Sequence, residues 1–132
     1  MNESREQSTI LVIEDEEPLR KLLTIMLQRA GHRVLSAANG NEAFELWKRS
    51  GDTIELLITD VALGGGMTGE DVARELRKRR ADLPIIFASG NLPDAIGENL
   101  KAMFHAMYIM KPFSLTELSA AVESSLRAAA HE

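Results

Sequence analysis

The sequence contains no cysteine, which excludes disulfide bonds and metal sites built from thiolates. It also lacks any apolar run long enough to span a lipid bilayer. The first residues, from Met1 to Ser8, are polar and mixed in charge, so the apolar centre of a secretory signal is missing. Together these absences predict a cytoplasmic protein without a membrane partner.

Positive charge is also in short supply, because 15 basic residues stand against 20 acidic ones and the net charge is -5. Nucleic-acid binding needs a basic surface, so this balance argues against a direct nucleic-acid partner. The length of 132 residues, with 45% hydrophobic and 27% charged, is typical of one globular domain with a real core. We predict a folded domain at 9–128, between a flexible N-terminus (1–8) and a flexible C-terminus (129–132).

Short apolar segments alternate with longer amphipathic ones along the chain. The short segments predict strands at Thr9–Ile13, Arg33–Ala37, Ile54–Thr59, Pro84–Ala88 and Met107–Met110. The amphipathic segments predict helices, among them Glu70–Arg80, Leu92–Phe104 and a last helix capped by Ser114 and Glu117. The basic end of the helix at 70–80 is interpreted as a solvated surface. The alternation predicts an α/β fold, an open parallel sheet with helices on both faces. For this sheet we take the strand order 2-1-3-4-5.

Polar residues stand at the carboxyl ends of the predicted strands. They are Glu14 and Asp15 after the first strand, Asp60 after the third, Ser89 after the fourth and Lys111 after the fifth. In an open α/β sheet these ends form the ligand crevice, so three carboxylates from neighbouring strands should crowd one pocket.

Crowded carboxylates repel one another, and either a shared proton or a bound cation relieves the repulsion. An oxygen-only cluster suits a hard ion such as Mg²⁺. A metal, the Lys111 ammonium and the Ser89 hydroxyl are together what a transferring phosphoryl group needs, with Asp60 as the nucleophile. Each residue taken alone has an ordinary explanation as a turn or helix-cap residue, and the joint arrangement favours the phosphoryl site.

The chain resembles the receiver domain of two-component response regulators over about Thr9 to Arg127. The resemblance rests on four motifs: Ile-Glu-Asp-Glu at 13–16, Ile-Thr-Asp at 58–60, Ala-Ser-Gly at 88–90 and Tyr-Ile-Met-Lys-Pro-Phe at 108–113. It implies a flavodoxin-like (βα)₅ three-layer sandwich. It also implies a phosphoprotein that regulates rather than an enzyme, with self-catalysed phosphotransfer and slow autodephosphorylation only.

The resemblance also implies a role for each matching residue. Asp60 would accept the phosphoryl group from a phosphohistidine, and Ser89 and Lys111 would bind its oxygens. Glu14, Asp15, Asp60 and the backbone carbonyl of Ala62 would hold Mg²⁺, one acid of the first pair through water. The Lys111–Pro112 peptide would be cis. Ser89 and Tyr108 would form the switch that alters the face made by the fourth helix, fifth strand and fifth helix.

Three departures from the family pattern carry expectations of their own. A glycine loop, Leu63 to Met67, replaces the Met-Pro that usually follows the phospho-acceptor Asp in the family. The resemblance therefore does not say which partner this loop contacts. Glu14 and Ser89 replace the more frequent Asp and Thr while keeping a carboxylate and a hydroxyl. Two positions that tune hydrolysis hold Ala62 and Asn91, and the missing side-chain function at Ala62 predicts a long-lived phospho-form.

Rival functions stay open at this point. Gly64 to Gly69 spells G-x-G-x-x-G, a bare dinucleotide-binding fingerprint, although Glu70 and Asp71 would repel a nucleotide phosphate. An aspartyl-phosphate phosphatase would need an acid at Ala62. A module of this fold that acts without phosphorylation is a third alternative.

The resemblance predicts a histidine kinase or a histidine phosphotransfer protein as the upstream partner. It leaves the downstream protein unnamed, and a homodimer through the fourth helix, fifth strand and fifth helix is an option. We expect a single-domain regulator. The alternative is a receiver taken from a hybrid histidine kinase.

Overall fold

A computed structural model describes residues 8–90 and 93–130. The described residues contain one sheet of parallel strands in the order β2-β1-β3-β4-β5, as predicted. The strands are β1 (Thr9–Ile13), β2 (Arg33–Ala37), β3 (Ile54–Asp60), β4 (Ile85–Ser89) and β5 (Met107–Met110). β3 and β4 each end one residue later than predicted, so Asp60 and Ser89 are the last residues of their strands.

Helices follow each strand of the described chain. They are α1 (Glu17–Arg29), α2 (Gly40–Ser50), α3 (Gly69–Arg79), α4 (Asp94–Phe104) and α5 (Leu115–Ala130), and a short 3₁₀ turn at Gly51–Thr53 precedes β3. α3 begins one residue before the prediction, because Thr68 and Asp71 form a capping box there. The predicted capping box of α5 is confirmed, since the Glu117 N–H donates to Ser114 Oγ at 3.0 Å and the Ser114 N–H to Glu117 Oε1 at 2.8 Å. Leu92, predicted to lie in α4, is outside the described residues.

The predicted flexible termini fall mostly on residues 1–7 and 131–132, which are outside the described residues. Ser8 is buried, and its carbonyl accepts the N–H of Arg33 at 2.9 Å. Ala129 and Ala130 continue α5. α5 therefore continues two residues past the predicted range 9–128, which itself stays a prediction. Within 8–90 and 93–130, no helix combines the length and apolarity needed to cross a bilayer.

Alternate residues of each central strand enter two separate cores, one on each face of the sheet. On one face, Leu11, Leu57 and Phe87 pack with side chains of α2, α3 and α4. On the other, Val12 and Ile58 pack with side chains of α1 and α5. Strands covered on both faces explain the unbroken apolar runs in the sequence. The three layers leave the carboxyl ends of the strands at one edge, where the polar residues stand.

Candidate functional site

Glu14, Asp15 and Asp60 form an acidic cluster at the carboxyl ends of β1 and β3. These strands are parallel neighbours, with Ile13 opposite Thr59, so the residues that follow meet at the same edge. One carboxylate oxygen from each of the three acids lies within 4.8 Å of the others. Glu14 is buried, Asp60 is partly buried and Asp15 is exposed. The cluster predicted from strand topology is therefore present in the folded chain.

Lys111 places its ammonium group between two of these acids. Its Nζ lies 2.6 Å from Glu14 Oε1 and 3.1 Å from Asp60 Oδ2. The lysine follows β5, which β4 separates from β3, so its long side chain reaches across a strand. The Lys111–Pro112 peptide is cis, as the family resemblance implied. The fold thus brings together the three predicted acids and the predicted cation.

The electrostatics of the cluster follow from burial and from this ammonium group. Burial raises the pKa of Glu14 above its ordinary value, although Lys111 and the N–H of Glu16 act in the opposite direction. Burial alone would lower the pKa of Lys111, but its contacts with Glu14 and Asp60 outweigh burial and leave the pKa raised. Lys111 is therefore held charged beside Glu14, whose ionisation is opposed by burial. Oxygen donors in this arrangement fit a hard divalent cation such as Mg²⁺.

Ser89 lies beside the cluster, at the buried carboxyl end of β4. It follows Ala88, the residue that pairs with Asp60 across the sheet, and its carbonyl accepts the Lys111 N–H at 2.9 Å. Ala62 is exposed on the loop after β3, and the metal-binding role of its carbonyl stays a prediction. Asn91, the second position expected to tune hydrolysis, is outside the described residues.

Tyr108 is partly buried on β5, opposite Phe87 of β4. Its ring rests against α4 at Gly97, where an added Cβ would lie 2.7 Å from Tyr108 Cε2. The tyrosine therefore links β5 to α4 through a contact that a glycine makes room for. Its movement as a switch stays a prediction.

The glycine loop between β3 and α3 forms a rim beside the acidic cluster. Gly65 and Gly66 have φ of 82° and 86°, which favour glycine, and a Cβ on Gly64 would lie 3.6 Å from Asp15 Oδ2. Gly69 lies so close to the carbonyl of Asp60 that no side chain would fit. Turn geometry and close packing account for these glycines. The G-x-G-x-x-G pattern is therefore explained without a bound nucleotide.

At the start of α3, a capping box within the chain binds the backbone N–H groups of Thr68 and Asp71. The N–H of Asp71 donates to Thr68 Oγ1 at 3.1 Å, and Asp71 Oδ2 accepts the N–H of Thr68 at 3.0 Å. Hydrogen bonds from Thr68 lower the pKa of Asp71, so its carboxylate stays ionised at the helix N-terminus. A nucleotide phosphate would meet that negative charge.

Sequence reasoning missed two residues that hold the backbone of the acidic cluster. Thr59 Oγ1 donates to the carbonyl of Asp60 at 3.0 Å, and Arg20 Nη1 donates to the carbonyl of Glu14 at 2.9 Å. The spacing Thr-x-x-Asp at 68–71 could have revealed the start of α3. Arg20 has no such signal, because helical periodicity does not show which polar residue turns back over a preceding loop.

Two surface cavities lie at the opposite edge of the sheet. One of about 490 Å³ is lined by residues around the starts of β4 and β5 and the end of α5, and one of about 480 Å³ by the ends of α2 and α3. None of the predicted site residues lines either cavity. The acidic cluster is thus separate from them.

Comparison with known proteins gives a family match over most of the chain. The family model described as the response regulator receiver domain matches residues 10–123. The sensor kinase CckA of Brucella abortus is 37% identical over 119 residues, which are 90% of this chain and 12% of that protein. The probable transcriptional regulator ycf27 of Porphyridium aerugineum is 39% identical over 125 residues, 92% of this chain and 49% of that protein. The chain thus spans half or less of these two curated relatives.

Solved structures give the same result. The response regulator protein TrrA of Thermotoga maritima, in complex with Mg²⁺ and BeF, superposes with a TM-score of 0.78 and 31% identity, covering 90% of this chain and 99% of that one. The receiver domain from the hybrid histidine kinase CckA gives a TM-score of 0.75 and 28% identity, covering 90% and 99%. These neighbours have the flavodoxin-like arrangement of the present fold.

Proposed function

The chain belongs to the response regulator receiver family of two-component systems, and from this premise we propose that Asp60 accepts a phosphoryl group from a phosphohistidine. The donor would be a histidine kinase or a histidine phosphotransfer protein. The observation that carries the proposal is the position of Lys111 Nζ, 3.1 Å from Asp60 Oδ2 inside the acidic cluster. A carboxylate beside a fixed ammonium group is suited to receive a phosphoryl group, because the charge of that group lies on its outer oxygens.

The transfer exchanges one bond of phosphorus for another. An Asp60 carboxylate oxygen attacks phosphorus, a P–O bond forms, and the P–N bond to the donor imidazole breaks. The electron pair of that bond returns to the imidazole nitrogen, which then takes a proton from solvent. Lys111 donates to one phosphoryl oxygen, and the Ser89 hydroxyl at the end of the adjacent strand donates to another.

We assign the metal ligands by asking which carboxylate oxygens already accept a hydrogen bond from the protein. Glu14 accepts from Lys111 through Oε1 and from the N–H of Glu16 through Oε2 at 3.2 Å, so we assign it a contact through water. Asp15, Asp60 and the carbonyl of Ala62 would bind Mg²⁺ directly. When bound, the ion neutralises negative charge on the transferring group.

The proposed output is a change in a surface rather than turnover of a substrate. Ala62 offers no acid or base to direct water at the acyl phosphate, so autodephosphorylation is expected to be slow. Ser89 and Tyr108 would transmit the change to the face formed by α4, β5 and α5. Exposed apolar side chains on these elements are suited to a protein partner or a second copy; they are Ile96, Met103, Met110 and Leu115.

The test is to incubate the protein with acetyl phosphate and Mg²⁺ and to follow its mass. We expect one phosphoryl group per chain, mapped to Asp60, and none in Asp60→Asn. Asp52→Asn, which removes a carboxylate at the opposite edge of the sheet, should be labelled like the wild type. Labelling of another residue, or hydrolysis of many equivalents of acetyl phosphate, would contradict the proposal, and the second result would indicate a phosphatase.

A further inference from the structure

Arg20 lies in α1, and its side chain turns back over the loop that carries the acidic residues. Its Nη1 donates to the backbone carbonyl of Glu14 at 2.9 Å, in a partly buried contact. The backbone N–H of Glu14 is also fixed, because it donates to the carbonyl of Ala37 at the end of β2 at 3.0 Å. Both backbone polar groups of Glu14 are thus held by other parts of the domain.

Fixing the carbonyl of Glu14 also fixes the start of Asp15. The peptide group is planar, so the Glu14 carbonyl, the Asp15 nitrogen and the Asp15 Cα move as one unit. The Asp15 side chain is exposed, and it departs from that unit toward the acidic cluster. The hydrogen bond from Arg20 therefore fixes the point from which the Asp15 side chain extends, and so limits where its carboxylate can lie.

The start of α1 lacks the side-chain cap that would otherwise connect the loop to the helix. The residue in the cap position of α1, Glu16, makes no side-chain cap hydrogen bond, and Pro18 in the first turn has no N–H to donate. α2 and α3, in contrast, have side-chain caps from Asn39 and Thr68. At α1, the guanidinium of Arg20 supplies a link between loop and helix in place of a cap.

We propose that Arg20 is a positioning residue for Asp15, which it holds in the orientation needed to bind a divalent cation. This inference rests on the proposed function, because it requires the acidic cluster to bind Mg²⁺. A positioning role and a purely electrostatic role of Arg20 predict opposite changes in Mg²⁺ affinity when the side chain is removed. A positive charge near three carboxylates weakens cation binding, so its loss would strengthen binding, whereas loss of a positioning contact weakens it.

The experiment is a Mg²⁺ titration of the protein without a phosphoryl donor, followed by NMR at constant ionic strength. Arg20→Met should weaken Mg²⁺ binding about tenfold, as removal of outer contacts of metal ligands commonly does. Lys21→Met is the matched control, because Lys21 has the same charge on the adjacent residue of α1 but pairs with Glu17 at 3.4 Å in an exposed contact. Its binding should equal or slightly exceed that of the wild type.

A second comparison tests whether Arg20 acts through Asp15. In an Asp15→Asn background, Arg20→Met should cause no further loss of Mg²⁺ affinity. An equal loss in both backgrounds, or unchanged or tighter binding by Arg20→Met, would overturn the inference. Urea unfolding of the magnesium-free variant checks that the fold is kept, and Arg20→Lys is titrated with the same criteria if it is not. Failure of the wild type to bind Mg²⁺ would instead overturn the metal site itself, and this inference with it.

Discussion

At each edge of the sheet a partly buried cationic side chain bridges two acceptors, but the acceptors differ. At the carboxyl edge, Lys111 lies between the carboxylates of Glu14 and Asp60. At the amino edge, Arg80 Nη2 donates to the backbone carbonyls of Gly51 at 2.8 Å and Ile54 at 2.5 Å. Its guanidinium also lies 4.9 Å from the centre of the Trp47 ring.

The difference lies in what can replace each cation. Carboxylates can take up a proton, bind a metal ion or form a bond to phosphorus, so the contacts of Lys111 can be exchanged during function. Backbone carbonyls are not protonated in this pH range and form no bond to phosphorus, and the contacts of these two with Arg80 hold the end of α3 against the start of β3. Similar bonding geometry therefore gives the proposed phosphoryl site at one edge and a fixed structural contact at the other.

The largest expected effect is on phosphorylation when Lys111 is replaced. Lys111→Met removes the ammonium donor beside Asp60, and the rate of labelling by acetyl phosphate should fall about 100-fold, as when one charge-stabilising donor is lost. Lys101→Met on α4 is the control, because that lysine pairs with Glu98 at 3.1 Å on the surface. A labelling rate equal to that of the control would contradict the role of Lys111.

The matching change at the other edge should affect stability alone. Arg80→Met removes two charged hydrogen bonds to carbonyls and should lower the free energy of unfolding by about 2 kcal/mol, measured with urea. Labelling of Asp60 should keep the wild-type rate. Lys78→Met, which breaks a surface pair with Glu75 at 3.0 Å, should change stability by less than about 1 kcal/mol. Slower labelling in Arg80→Met would show that the two edges are coupled.

Much of this comparison could be predicted from the sequence. The alternation of segments predicts an open parallel sheet, and the order 2-1-3-4-5 taken for that sheet brings Glu14 and Asp60 together without any knowledge of side-chain positions. The arginines at the end of α3 could not be predicted in this way, and the expected solvated surface holds only in part. Arg80 turns inward as described, and Arg77 Nε donates to the carbonyl of Leu83 at 2.8 Å.

The physical reason for this difference is that strand order determines where the backbone lies, whereas the contacts of a long side chain depend on which hydrogen-bond acceptors lie nearby. A run of arginines and lysines has the same pattern whether its members face water or fold back onto carbonyls. Arg20 escaped prediction for this reason as well. Gly97 escaped because its partner, Tyr108, is brought to it only by the packing of α4 against β5.

The contact between Gly97 of α4 and Tyr108 of β5 offers a further test. Glycine inside a helix costs about 1 kcal/mol relative to alanine, so Gly97→Ala would ordinarily stabilise α4. Here the new methyl group would meet the tyrosine ring, and we expect a lower free energy of unfolding. In a Tyr108→Ala background the ring is gone, and the same change should stabilise the protein by about 1 kcal/mol. Urea unfolding of the four proteins measures both signs, and stabilisation in both backgrounds would show that the ring is not constrained by α4.

The smallest expected effect is a pH dependence confined to the carboxyl edge. Burial raises the pKa of Glu14 above its ordinary 4.5, so between these two values the folded magnesium-free protein keeps a proton that the unfolded chain has lost. The free energy of unfolding should therefore decrease as pH rises from 4.5 through the raised pKa. Glu14→Gln should remove this part of the slope, measured by urea unfolding at a series of pH values. Arg80→Met should keep it, because the carbonyl acceptors of Arg80 do not titrate, and an equal loss of slope in both variants would remove the distinction between the two edges.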